Sequence, residues 1–309
     1  MALRDVSIEV GNHEIFGIFG ATGSGKSTLV EILLGNTAPS GGSIAHDGKD
    51  ITKLTRGKRN FHFPALTRKS IWQNLFANDE RSTLGEGEVQ MRYLENALEK
   101  VTGVLILANS FCAMDRTLRE RAFSRLRTVT RERDLSVVFA ANNYEEILEV
   151  CDRVAILADS EIRQIGSPQD VYEDPASASI AAIVGRNNLF AARRLTSSKA
   201  KLPEYETVDG GHRLFTKKVE RSALAPINQN VTLGIRPEQI SLTFGASFPE
   251  DNLLKATVSR VRFLGATTLV SFDCSGLLLD TLVLRVVGLN IGDECMLGLP
   301  PDRIQIYKT

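Results

Sequence analysis

An α/β domain built on a largely parallel sheet, followed by a small all-β domain, is the architecture that this 309-residue sequence predicts. Three observations carry that expectation. The first half alternates short apolar runs with amphipathic stretches, which is the rhythm of βαβ units. A glycine-rich turn joins the first apolar run directly to the first helical stretch. After Gly185 the helical period gives way to short β runs punctuated by Gly, Pro and Asp. Residues 1–185 and 186–309 are the expected domains, each long enough to close a core without disulfides or structural metal.

Taken in order, residues 14–19 read as a buried strand and residues 27–34 as a helix that stops at Gly35, a residue free to adopt the left-handed helix end. Residues 104–107 form a second apolar run too short for a helix, residues 116–133 a long charged helix, and residues 135–141 a third strand. Residues 153–157 and 161–165 are strands around the turn Ala158-Asp159-Ser160. Ser167-Pro168 then offers an N-cap with proline at the first helical position, and one helix is expected to run to about Val184. Beyond it, residues 231–235, 255–263, 267–272, 277–287 and 294–297 read as strands, most simply closed into a small barrel. The polar stretch 196–211 reads as a loop of that domain or part of the hinge.

Composition narrows the function. The chain is 43% hydrophobic and 24% charged, with 37 Lys+Arg against 37 Asp+Glu, as in ordinary soluble globular proteins. A zero formal charge supplies no clustered basic surplus, so nucleic acid is not an expected partner. Cys112, Cys151, Cys274 and Cys295 make no CxxC pair and the four histidines are scattered, which argues against a metal cluster. The N-terminus lacks the apolar core of a signal peptide, and no window approaches the roughly 18 apolar residues of a membrane span. The expectation is a cytoplasmic protein with reduced thiols, any membrane association coming through a partner.

The turn between the first strand and helix reads Gly20-Ala-Thr-Gly23-Ser24-Gly25-Lys26-Ser27-Thr28, a match to GxxxxGK[ST] in the context that gives the motif meaning. Gly20, Gly23 and Gly25 let backbone N–H groups converge on phosphate oxygens around Ser24, and the helix N-terminus adds positive potential. Lys26 is placed for the β and γ phosphates, Ser27 for Mg²⁺, and Thr28 completes the motif. The bland reading, a glycine turn kept for packing, does not account for the full Gly-Lys-Ser-Thr ending. A nucleotide and Mg²⁺ are therefore the expected ligands.

With Pro39-Ser-Gly-Gly-Ser-Ile44 and Asp47-Gly-Lys-Asp-Ile51 following that loop, the chain resembles the ATPase subunits of ABC transporters. Phe61-His62-Phe63-Pro64 and the residues on to Ile71 are similar to the family's Q-loop region, and Leu84-Gly85-Glu86-Gly87-Glu88 falls in the place of its signature. Residues 104–109 occupy the Walker B place, Met114-Asp115 the D-loop and residues 139–143 the H-loop. Leu233-Gly-Ile-Arg236-Pro-Glu and Pro301-Asp-Arg-Ile304 resemble the TOBE domain of importer ATPases, an OB-like barrel. The resemblance implies a P-loop NTPase domain, a homo- or heterodimer clamping ATP, a membrane permease and a solute-binding protein. Arg68-Lys69-Ser70 looks most like subunits that import oxyanions, tungstate, molybdate and sulfate among them.

The chemistry-bearing positions depart from that pattern. Ala108 stands where the family has the Walker B aspartate, Asn109 at the catalytic glutamate position, Asn142 at the switch histidine position and His62 at the Q-loop glutamine. An amide cannot take a proton from water, and a methyl group cannot hold a Mg²⁺ hydration shell. Glu86 and Glu88 either bring negative charge to a phosphate site or simply open the following helix, where acids favour the N-terminus. His62 and Leu84 stand 22 positions apart, which implies a shortened helical subdomain, and Lys26 stands 25 after Met1, which implies that the opening strand and the aromatic residue under adenine are missing. Trp72 is a substitute adenine platform or a packing residue. Asp115 is a D-loop residue or a cap.

Two readings of function stay open on the sequence. One is a working importer ATPase; the other is a non-catalytic nucleotide-binding partner, regulatory or structural. A P-loop kinase or GTPase would need its own acidic Mg²⁺ ligand or base-recognition motif, and the downstream sequence offers neither.

Overall fold

The computed structural model describes residues 2–64, 85–108, 110–196, 202–217, 224–243, 252–284 and 288–308. The chain divides into two compact units, Met1–Glu173 and Asp174–Thr309.

The first unit is built on β1 (Ile15–Phe19), whose five residues are all buried. It lies parallel between β6 (Leu135–Ala141) and β7 (Arg153–Ala158). Burial on both faces explains why these strands read as continuous apolar runs rather than alternating ones. Outward from β6 come β5 (Gly103–Ala108) and β4 (Phe61–His62); β8 (Glu161–Gly166) pairs antiparallel with β7 at the other edge. Asp159 and Ser160 both have positive φ, as the tight turn between β7 and β8 requires. A small hairpin, β2 (Ala45–His46) and β3 (Lys49–Asp50), stands apart from the six-stranded sheet.

Helices among the described residues include α1 (Lys26–Leu34), α2 (Glu86–Lys100), α3 (Arg116–Glu132) and α4 (Tyr144–Val150). α1 ends at Gly35 in the left-handed conformation, its N–H bonded back to the helix. The α3 face carrying Ala122, Phe123, Leu126 and Val129 is buried, and its arginines project outward, as amphipathic spacing dictates. Arg59 holds the end of α1, its buried guanidinium donating to the carbonyls of Ile32, Leu33, Thr52 and Leu54.

The single helix expected from Pro168 to Val184 is instead two, α5 (Pro168–Glu173) and α6 (Ala178–Ile183). Pro175 cannot donate an N–H and disfavours helical geometry in Asp174, and Ser177 caps the new helix by accepting from Ile180 N. The division between the two units falls in this break.

The second unit holds two five-stranded antiparallel sheets sharing one core. One has β9 (Asn188–Arg194), β10 (Glu204–Thr207), β11 (Arg213–Phe215), β12 (Asn230–Ile235) and β18 (Gln305–Lys308); the other has β13 (Ser241–Thr243), β14 (Asn252–Phe263), β15 (Thr268–Cys274), β16 (Leu277–Val283) and β17 (Glu294–Leu299). The loop expected over residues 196–211 is overturned in part, because β10 pairs with β9 and β11. Its Tyr205 is fully buried and buried Glu204 faces Arg213 at 3.8 Å, so a polar-looking stretch still contributes to the core.

Candidate functional site

The phosphate loop leaves β1 at the C-terminal edge of the sheet, where open α/β sheets place their ligand crevices. Phe19 sits opposite Ile156 of β7, so the next residue, Gly20, runs against the Leu157 carbonyl. A Cβ at Gly20 would collide with that oxygen and would lie 2.7 Å from Ser24 Oγ. Gly23 and Gly25 have φ of 85° and 110°, a region that side chains with a Cβ avoid. A Cβ on Gly25 would also meet the Ala2 carbonyl at 2.5 Å, so the extended N-terminal segment leans on the loop.

Lys26 is buried, and its ammonium donates to the carbonyls of Gly20 at 2.6 Å and Ala21 at 3.0 Å. Burial pulls its pKa below the ordinary lysine range. Ser24 Oγ is buried with no hydrogen-bond partner among the described residues, while Ser27 is exposed and Thr28 half-buried. Such a loop suits phosphate: its cradle excludes a Cβ, one hydroxyl waits unpaired, and one ammonium is held only by main-chain oxygens that it can exchange.

The altered positions reach the same sheet edge. Ala108 ends β5 opposite Ala140 of β6, and Ala141 lies opposite Phe19, so Ala108, Asn142 and Gly20 leave three adjacent strands side by side. Asn142 is exposed, and its neighbour Asn143 caps α4 by accepting from Glu145 N at 3.0 Å. Tyr144 packs edge-on against Phe19 at 4.9 Å and donates to the Pro168 carbonyl at 2.8 Å, which pins α4 to the strand carrying the loop. Nothing in the sequence pattern marked Tyr144 for that task. Asn109, residues 65–72 with Arg68, Lys69, Ser70 and Trp72, and Leu84 lie outside the described residues.

Other candidates make local contacts. Asp115 caps α3, accepting from Leu118 N at 2.8 Å. Glu88 accepts from Gly85 N at 2.9 Å and so closes the first turn of α2, the helix-opening reading of that acid. Gly87 packs so tightly on the turn after β5 that a Cβ would lie 2.8 Å from the Ala113 carbonyl. Half-buried His62 pairs through β4 with Leu105. Desolvation, and then the charge of Lys100, push its pKa down and favour the neutral ring.

Comparison with known proteins agrees with this architecture. Residues 3–136 match the ABC transporter family and residues 233–306 the TOBE domain. The chain is 25% identical to a molybdate/tungstate import ATP-binding protein of Pyrococcus horikoshii, over 99% of this chain and 95% of that one. It is 27% identical to a spermidine/putrescine import ATP-binding protein of Protochlamydia amoebophila, over 87% of this chain and 80% of that one. Among solved structures, a nucleotide-free ATP-binding cassette from an ABC transporter superposes with a TM-score of 0.51 at 16% identity, covering 60% of this chain and 93% of the other, a likeness of fold. The chain thus carries an ABC transporter domain over residues 3–136 and a TOBE domain over residues 233–306.

Proposed function

We propose that this chain is the ATP-binding subunit of an importer, binding Mg²⁺-ATP through the Lys26 loop while hydrolysing it at or near background. The observation that carries the reading is the pairing of an intact phosphate cradle with Ala108 and Asn142 on the two neighbouring strands. On binding, the Lys26 ammonium exchanges the Gly20 and Ala21 carbonyls for phosphate oxygens, and Ser24 Oγ gains the partner it lacks. Ser27 is the residue that would hold Mg²⁺, which supplies charge neutralisation to the phosphates. Ala108 offers no oxygen to the ion's water shell, and Asn109 and Asn142 offer no general base or imidazole.

The import role and the partners rest on the family and on the names of the relatives: a membrane permease, a second ATP-binding subunit, identical or not, and a solute-binding protein. The protein then works in the cytoplasm, peripheral on the inner face of the membrane. No helix among the described residues is long and apolar enough to cross a membrane. An oxyanion is the proposed solute, supported by the molybdate/tungstate relative that aligns along 99% of the chain. The spermidine/putrescine relatives, at similar identity, supply a polyamine as the second reading.

Calorimetric titration of Mg²⁺-ATP into the purified protein, with Lys26→Ala as control, tests the site. Saturable binding that disappears in the variant supports a working cradle. Absence of binding to the unaltered protein would reduce the loop to architecture. Steady-state phosphate release that is robust and Lys26-dependent would defeat the low-turnover reading.

A further inference from the structure

The chain's zero formal charge conceals a local surplus on α3, which carries six arginines against two glutamates. Several arginines of this segment are engaged by their own fold. Arg116 pairs with Glu120 at 2.8 Å, Arg119 with Glu146 at 3.9 Å, Arg127 donates to the Glu149 carbonyl, and Arg133, just past the helix, donates to the Leu98 carbonyl at 2.8 Å. Arg121, Arg125 and Arg131 differ. All three are exposed and make no hydrogen bond or ion pair with any described residue.

The helical period puts these three on one face. With Thr117, Ser124 and Thr128 they project from the side away from buried Phe123, Leu126 and Thr130, and Arg121 and Arg131 stand about 15 Å apart along the axis. A groove of about 380 Å³ opens there, lined by Ser124, Arg127, Thr128, Arg131 and Glu132, with no apolar side chain among them. Small-molecule pockets are mostly apolar, so this groove suits a polar surface rather than an enclosed ligand.

Charge selects the occupant, and the rest of the face selects its class. Guanidinium groups bind carboxylates through paired N–H donors, and the hydroxyls of Ser124 and Thr128 add donors between them. Glu132 stands exposed in the same groove, where a continuous array of phosphates would meet it with like charge. No large apolar side chain of α3 is exposed, so the face has nothing to enter a lipid interface and no aromatic ring on which a base could stack. A polypeptide places its carboxylates at intervals and leaves the position opposite Glu132 neutral. An acidic helix repeats them every four residues, the step from Arg121 to Arg125.

We propose that this face of α3 docks an acidic, helical segment of a partner polypeptide, its carboxylates paired with Arg121, Arg125 and Arg131. Exposed ion pairs contribute speed and selectivity of encounter more than affinity, so the contact is transient and weakens with salt. This surface is separate from the nucleotide reading and does not depend on it.

The test uses the full chain and a fluorescein-labelled, end-blocked peptide of four Glu-Ala-Ala-Ala repeats, read by anisotropy at low ionic strength. Saturable binding is expected, and it should weaken at least tenfold in the triple variant Arg121→Gln, Arg125→Gln, Arg131→Gln. A peptide of the same composition with its glutamates contiguous should bind at least fivefold more weakly to the unaltered chain. Melting temperature and Mg²⁺-ATP binding should be unchanged in the variant. No binding to the unaltered chain, equal binding by the triple variant, or equal binding of the contiguous peptide would overturn the proposal. Binding of phosphatidylglycerol vesicles or single-stranded DNA that exceeds peptide binding and is lost in the triple variant would overturn it in favour of a lipid surface or a nucleic acid.

Discussion

The Lys26 ammonium lies 2.6 Å from the Gly20 carbonyl oxygen, so the loop is closed by its own cation. A phosphate must displace a neutral acceptor and offers a charged one, and charge-assisted bonds contribute roughly 1.5–3 kcal/mol against about 1 for neutral ones. Lys26→Ala is expected to weaken Mg²⁺-ATP binding by roughly 10- to 100-fold while leaving the fold intact, measured by calorimetry beside thermal melting.

Gly20→Ala should act differently. The new Cβ collides with a main-chain oxygen, Leu157 O, which cannot rotate aside as a side chain can. The strand and its neighbour must part, and a loss of about 2 kcal/mol or more is expected in urea unfolding. A variant as stable as the parent would mean that the loop tolerates a shift of the β1–β7 pairing.

Restoring one catalytic position should not restore turnover. Asn109→Glu supplies a carboxylate, but Ala108 still lacks one and Asn142 still offers no imidazole beside the phosphate loop. Phosphate release by the single variant is expected to stay within about threefold of background, far below the roughly 10²- to 10⁴-fold that a positioned general base supplies. Robust turnover would sink the idea of concerted loss.

His62 predicts a pH dependence. Its folded pKa is held below the ordinary 6.5 by burial and by Lys100, so the unfolded chain binds the proton more readily. The stability that depends on the neutral ring is present above pH 6.5 and is lost as pH falls from there towards the folded pKa. His62→Gln should flatten the fall in melting temperature between about pH 7 and 5; an unchanged slope would assign it to other groups.

Arg59→Ala should cost about 2–4 kcal/mol in urea unfolding, because four carbonyls, those of Ile32, Leu33, Thr52 and Leu54, lose a shared charged donor in a buried position. Arg59→Lys should recover only part of it, since an ammonium cannot span that fork of acceptors.

Much of this molecule is legible in its residues. β1, the glycine loop and α1 follow from an apolar run, three glycines and a helical period, all local signals. The altered positions Ala108 and Asn142 are equally visible as residue types. The break is legible in Pro175, which cannot donate an N–H inside a helix, although the capped start at Pro168 predicts one helix to about Val184. β10 was hidden because Glu204, Glu206 and Thr207 are polar, although Glu204 and Thr207 are buried, and only Tyr205 declares a core.

By itself, then, the sequence determined a phosphate loop between strand and helix, a second β-rich domain and the residue types at positions 108, 109 and 142. Those depend on residue type and short-range spacing. Tertiary structure alone decided that β5, β6 and β1 lie side by side, bringing Ala108 and Asn142 to the mouth of the loop. It also set Leu157 O against Gly20. Strand order and close packing join residues more than a hundred positions apart, and no local period encodes which partners meet.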